Sequence, residues 1–203
     1  MGKWTTVVAV AIPGVLLAGV GLLHPSDLDP ATAHTWWTLH VWLIPVFPLL
    51  GAAVWLLLRG EKGVFAQLAR LGAYGFATFY TALDVLAGIG AGLAMGQEGA
   101  SSPMVGRLFD VGNRLGAIGV WCLLAAALLG GAVLVRRDGP RALLGTVVFA
   151  GSCYPFLQNH IFHPRGVLAV LGIALGLALL AAARSAPASA PGRGAIDAAL
   201  RAR

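Results

Sequence analysis

Five histidines and one carboxylate hold most of the chemical potential of this chain. His24, His34, His40, His160 and His163 all fall at or near the ends of apolar runs. Imidazole can bind zinc, copper or iron, including haem iron, and can carry a proton near neutral pH. Asp84 lies about midway along the apolar stretch from 65 to 95. In lipid, a carboxylate at that depth costs at least about 2.5–3.5 kcal/mol, so it should face the interior of a bundle and find a partner there. Proton relay, cation binding or catalysis would use such a group, and a hydrogen bond to a neighbouring helix is the plainer alternative. Tyr74, Thr78, Thr81, Asp84 and Gly88 recur at helical spacing, which predicts one polar face around Asp84.

Two constellations follow from these residues. Arg107, Asp110 and Arg114 can neutralise one another along a helix end, since their spacings are i, i+3 and i, i+4. Arg114, about two turns in, could instead reach across to Asp84 as a proton or charge pair. His160 and His163, within Gln-Asn-His-Ile-Phe-His-Pro, are expected to offer two metal ligands from one helical turn, with His40 as a third. His24 and His34 are expected at the interface, capping helices or meeting headgroups. The expected cofactor is a transition metal (Cu, Zn or Fe) or haem. The H-x-x-H spacing is a weak signature, however, and it does not match haem-binding four-helix cytochromes. No nucleophile elbow, H-E-x-x-H, phosphate loop or dinucleotide fingerprint is present, and no Ser/His pair with credible geometry is visible.

The elements that must position these groups are apolar helices. The 203 residues are 58% hydrophobic and 11% charged, with a mean hydropathy of +0.82. That lies outside the range of soluble domains. Apolar runs of about 20 residues match the length that crosses the hydrocarbon core. Six spans are predicted, at about 4–23, 32–58, 65–95, 108–135, 142–157 and 164–183, forming an all-α transmembrane bundle. The first resembles a secretory signal but is long for one and lacks a clean cleavage site, so a retained helix is expected. Asp29-Pro30 announces the second, Pro45 and Pro48 should kink it, and Pro155 should bend the fifth.

Basic residues set the orientation. With the N-terminus inside, eleven of the fourteen Lys and Arg residues become cytoplasmic, leaving Arg107, Arg114 and Arg165 outside. Both termini are therefore expected in the cytoplasm and the histidine-bearing ends on the extracytoplasmic side of an inner membrane. The net charge of +6 reflects this bias and does not call for nucleic acid. Trp36, Trp37 and Trp42 are expected in an outer aromatic belt, with Trp4 and Trp55 near inner ends. Cys122 and Cys153 read as small buried hydrophobes, and residues 185–203 as a basic, Ala/Pro-rich cytoplasmic tail.

Glycine spacing supplies the packing. Gly88, Gly92 and Gly96, then Gly112 and Gly116, then Gly172 and Gly176 each recur every four residues, a pattern that lets helices approach closely in lipid. The faces carrying the first two sets are expected to meet. Such faces could also join copies into a homodimer or dock on a larger membrane complex. The leading expectation is an inner-membrane protein with an outward-facing pocket binding a metal ion or haem, for metal handling or redox chemistry. Asp84 and Arg114 would form the pocket floor, with His40, His160 and His163 at its mouth. A proton-coupled carrier using Asp84 and a non-catalytic accessory subunit are the rival expectations. The sequence leaves open whether the chain is an enzyme.

Overall fold

In the computed structural model, which describes residues 2–184, the described chain is all-helical. The basic tail expected at 185–203 lies outside the described residues. Helix α1 spans Lys3–Gly21, α2 Ala33–Leu43, α3 Phe47–Leu57 and α4 Val64–Leu83. A π-helical segment, Asp84–Gly90, continues α4 into α5 (Ala91–Glu98). There follow α6 (Pro103–Asp138), α7 (Arg141–Asn159) and α8 (Arg165–Ala183).

Prolines and glycines explain the boundaries. The span expected from 32 to 58 with kinks at Pro45 and Pro48 is divided into two helices, because Pro45 lacks an N–H and crowds the preceding turn. Pro48 is accommodated in the first turn of α3, where an N–H has no helical partner. Pro155 lies inside α7, which runs two residues past the expected end. Ser102 caps α6 by accepting from the Met104 N–H, and Gly139 closes it at φ 81°, a value glycine adopts without penalty.

Around the bundle, α1 packs on α8, α8 on α7, α7 on α6, α6 on α4, α4 on α3 and α3 on α1, closing a ring of six helices. The break at Pro45 lets α2 leave α3's line and lie against the π-helical segment and α5 at one end. The ring's centre holds Leu43, Phe47, Leu50, Phe76, Tyr80, Phe149 and Phe156, all buried. Small residues set the close approaches. A Cβ on Gly14 would lie 2.8 Å from Ala174 Cβ, and one on Gly112 would lie 2.9 Å from Ala87 Cβ. In contrast to the expected glycine-on-glycine contact, Gly88 and Gly92 face His40 and Trp37 of α2, while Gly112 and Gly116 face Ala87 and Leu83.

The perimeter is apolar. Val8, Leu16, Leu71, Leu144, Leu168 and Leu175 are all exposed. Among the described residues, five helical stretches are long and apolar enough to cross a membrane: Lys3–Gly21, Ala33–Leu57, Val64–Glu98, Pro103–Asp138 and Arg165–Ala183. At the end opposite the histidines, Arg70 donates to the Leu58 and Glu61 carbonyls, and Arg137 pairs with Glu61 (3.2 Å) and Asp138 (2.6 Å). These contacts fasten the turn between α3 and α4 to the end of α6.

Candidate metal centre

Three imidazoles converge where four elements meet. His24 follows the end of α1, His40 is on α2 and His160 terminates α7. One ring nitrogen of each lies within 4.8 Å of those of the other two. Asp84, the first residue of the π-helical segment, lies beside them, with Oδ1 3.9 Å from His40 Nε2.

Local structure fixes each ring. The His24 ring is held edge-on between Trp36 and Phe162, each with its centroid 4.7 Å away. Its Nδ1–H donates to the Pro25 carbonyl at 2.8 Å. The loop that follows is stiff: the Asp29 carboxylate accepts from the Ala31 and Thr32 N–H groups, and these bonds hold its pKa below the usual range. On α2, the His40 Nδ1–H donates to the Trp36 carbonyl at 2.7 Å. Trp36 Nε1 in turn donates to the Ala87 carbonyl inside the π-helical segment at 3.2 Å. Gly88 makes room for His40, because a Cβ there would run into the imidazole ring. π-Helical turns are rare and often sit at functional sites. Here the turn carries Asp84 at its start and Gly88 one turn on.

His160 occupies a conformation few non-glycine residues adopt, with φ at 49°. Such a backbone typically costs about 1–3 kcal/mol and tends to be kept where it serves a site. Its Nδ1 is hydrogen-bonded to the Tyr80 hydroxyl at 2.7 Å. Its Nε2 is buried with no hydrogen-bond partner, and so are both carboxylate oxygens of Asp84.

These bonds decide the tautomers. A carbonyl can only accept, so His24 and His40 must each carry a proton on Nδ1, and the neutral rings then have bare lone pairs at Nε2. Those two atoms face each other at 3.5 Å. Two lone pairs repel at that range unless a proton or a cation lies between them. With Nδ1–H donated to Tyr80, His160 also presents a bare Nε2, whereas the other tautomer would bury an unpaired N–H. Ligating histidines are generally held in this way, their second nitrogen donating to a carbonyl or another acceptor. Metal–nitrogen bonds of about 2.0–2.1 Å at the tetrahedral angle put neighbouring donors about 3.3 Å apart. The His24–His40 separation is close to that figure. Asp84, at 3.9 Å from His40, is slightly beyond it. Burial lowers the His24 pKa, against the opposing effect of the bond to Pro25, so this ring favours the neutral, ligand-competent form.

The structure redistributes the expected site residues. His40 and His160 come together as expected, but the third imidazole is His24, not His163. His160 and His163 do not share a helical turn, because α7 stops at Asn159; Ile161 then turns inward and His163 is exposed. His34 is exposed. Arg114 is exposed and leaves the Asp84 oxygens without a hydrogen bond. It lies two residues from both Gly112 and Gly116, hence about 200° around the helix from the face that meets Ala87 and Leu83. Tyr74 and Thr78 are also exposed, so the expected polar face is not the buried one. The buried series is Ala66, Ala69, Ala73, Phe76, Tyr80 and Asp84. Tyr80 was missed, and that small-residue series was the signal that could have found it. Trp36 walls the centre and does not join an outer belt, whereas Trp4 and Trp42 are largely exposed.

No protein-family model, curated protein or solved structure matches the chain.

Proposed function

We propose that this chain is a multi-pass membrane protein whose His24, His40 and His160 bind one divalent transition-metal ion through Nε2, with Asp84 beside it. The observation that carries this reading is the set of bare, buried nitrogens. All three Nδ1 atoms are engaged, the His24 and His40 Nε2 atoms face each other at 3.5 Å, the His160 Nε2 is buried without a partner in the same cluster, and the carboxylate beside them has no hydrogen bond. Orphaned groups at such density call for an ion or water. Imidazole with a carboxylate nearby suits zinc, copper(II) or iron(II), and no thiolate is among the clustered donors. A bare ion fits better than haem. A porphyrin supplies four nitrogens of its own and leaves two axial positions, so a third converging imidazole has no place on it.

In this reading α7 also crosses the membrane, as the fifth of six spans, both termini are cytoplasmic, and the centre lies toward the extracytoplasmic side of an inner membrane. The exposed aliphatic perimeter and the basic groups at the far end support that placement. The test is calorimetric titration of the detergent-purified, chelator-stripped chain with Zn²⁺, Cu²⁺ and Fe²⁺. One high-affinity site, lost in His24→Ala, is expected. Absence of saturable binding by all three ions would defeat the proposal.

A further inference from the structure

Beside the centre lies a cleft of about 520 Å³ between α4, α6 and the end of α7. That volume is in the range of small-molecule sites. Its lining is divided, with the amides of Asn113, Gln158 and Asn159 and the apolar side chains of Leu83, Val120 and Leu157. Among the described residues, no Asp, Glu, Lys or Arg lines it. Asn159 already donates through Nδ2 to the Pro155 carbonyl at 2.7 Å, which leaves its Oδ1 as an acceptor. The cleft therefore suits an uncharged molecule with one hydrogen-bonding part and one apolar part. It meets the centre along a shared wall, because Tyr80, His160 and Phe162 belong to both.

Three imidazoles with an open fourth position are the ligand arrangement of a catalytic zinc ion, which activates bound water. Asp84 is suitably placed beyond the ligand sphere. Its Oδ1, at 3.9 Å from His40 Nε2, is too far for an unstrained tetrahedral edge but close enough to accept from water on the metal. Both its oxygens are free of other bonds.

Building on the metal-binding reading above, we propose that the centre is hydrolytic and that the cleft holds its substrate, an uncharged, membrane-soluble ester or amide. Asp84 takes a proton from zinc-bound water. The resulting hydroxide forms a new C–O bond at the substrate carbonyl carbon, and the oxyanion is stabilised by zinc. The C–O bond of an ester, or the C–N bond of an amide, then breaks, and Asp84 returns its proton to the departing alcohol or amine. Water and substrate become a carboxylic acid and an alcohol or amine, with no change of oxidation state. Tyr80 acts as a positioning residue, holding His160 in the tautomer that presents Nε2.

The test uses the full chain in detergent, stripped with chelator and reloaded with Zn²⁺, with p-nitrophenyl octanoate as the probe. Bound zinc and ester hydrolysis are measured on the same samples. The zinc-loaded protein should hydrolyse the ester well above the stripped protein. Asp84→Asn should keep its zinc and lose about 10²–10⁴-fold in kcat, the usual contribution of a general base. Ala117→Trp, which fills the cleft away from the ligands, should raise KM at unchanged zinc content. Should Ala117→Trp fail to fold, Val120→Phe serves the same purpose. Bound zinc without turnover, or an Asp84→Asn variant as active as the parent, overturns the hydrolytic assignment and leaves the metal centre standing. Failure to bind zinc, copper or iron overturns both.

Discussion

Gly88→Ala adds one methyl group and should break the metal centre. A Cβ at this position would lie 2.7 Å from His40 Cβ and closer still to the ring. Carbon atoms in contact prefer about 3.5–4.0 Å, so α2 must retreat by about 1 Å or the imidazole must rotate away. Ligand distances in well-formed metal sites keep to within a tolerance of about 0.2 Å of their ideal values. Displacing one ligand of three by several times that tolerance should weaken binding by at least about 10–100-fold, the usual cost of losing a mere supporting contact to a ligand. The assay is competition against a chromophoric chelator at fixed pH, with two controls. Gly106→Ala meets nothing within 4 Å and should be neutral. Gly14→Ala is crowded by Ala174 Cβ and the Val170 carbonyl, both at 2.8 Å, but far from the centre. It should lower thermal stability and leave the affinity of the folded protein intact. Wild-type affinity in folded Gly88→Ala would exclude His40 as a ligand in the position the structure gives it.

Further expectations concern the partners of the ligands. Tyr80→Phe removes the acceptor for His160 Nδ1–H and should weaken metal binding by about 10–100-fold, read by the same competition. His163→Ala and Arg114→Ala, both at exposed positions, should leave metal affinity unchanged. The pH dependence follows from His24, whose pKa burial lowers from 6.5. Because the folded-state value is depressed, the ring stays neutral to a lower pH than free histidine. The contribution to stability is present above 6.5 and is lost as pH falls from there through the folded value, where the unfolded chain gains a proton the folded ring resists. Metal binding measured against pH should therefore be level around neutrality and decline on the acid side of 6.5. In His24→Ala, the residual acid-induced loss of thermal stability should be smaller than in the parent.

What the sequence revealed depended on how local the signal was. Apolar length marked the helical stretches within a few residues, because a span is written in consecutive positions. Pro45 announced a disturbance but not its extent, since whether a helix kinks or splits depends on what α2 can pack against. The π-helical segment had no periodic trace. The two steps of three from Thr78 to Asp84 lag behind the helical turn, so Tyr74 and Thr78 drift off the buried face, and Tyr80, four residues before Asp84 on α4, is its neighbour there. Asp84 was legible as inward-facing because a carboxylate in lipid is costly without a partner, and His40 was legible as a candidate ligand. His24 was not, because Pro25 made it look like a helix stop. Its role depends on α1 ending beside α8 and the turn that leads into it, where Gly21 meets Ile161 and Val167, a contact between residues far apart in the chain. His163 misled for the opposite reason: the i, i+3 spacing counts only inside a helix, and α7 ends first.

Metal analysis combined with X-ray absorption on the purified chain and its five single histidine-to-alanine variants decides whether three imidazoles hold an ion here. One transition-metal ion per chain is expected, with three imidazole nitrogens at about 2.0–2.1 Å, retained in His34→Ala and His163→Ala. That ion should be lost in His24→Ala, His40→Ala and His160→Ala. A chain that stays metal-free after reconstitution, or a site that survives His24→Ala and fails with His163→Ala, rules out a centre built on His24, His40 and His160.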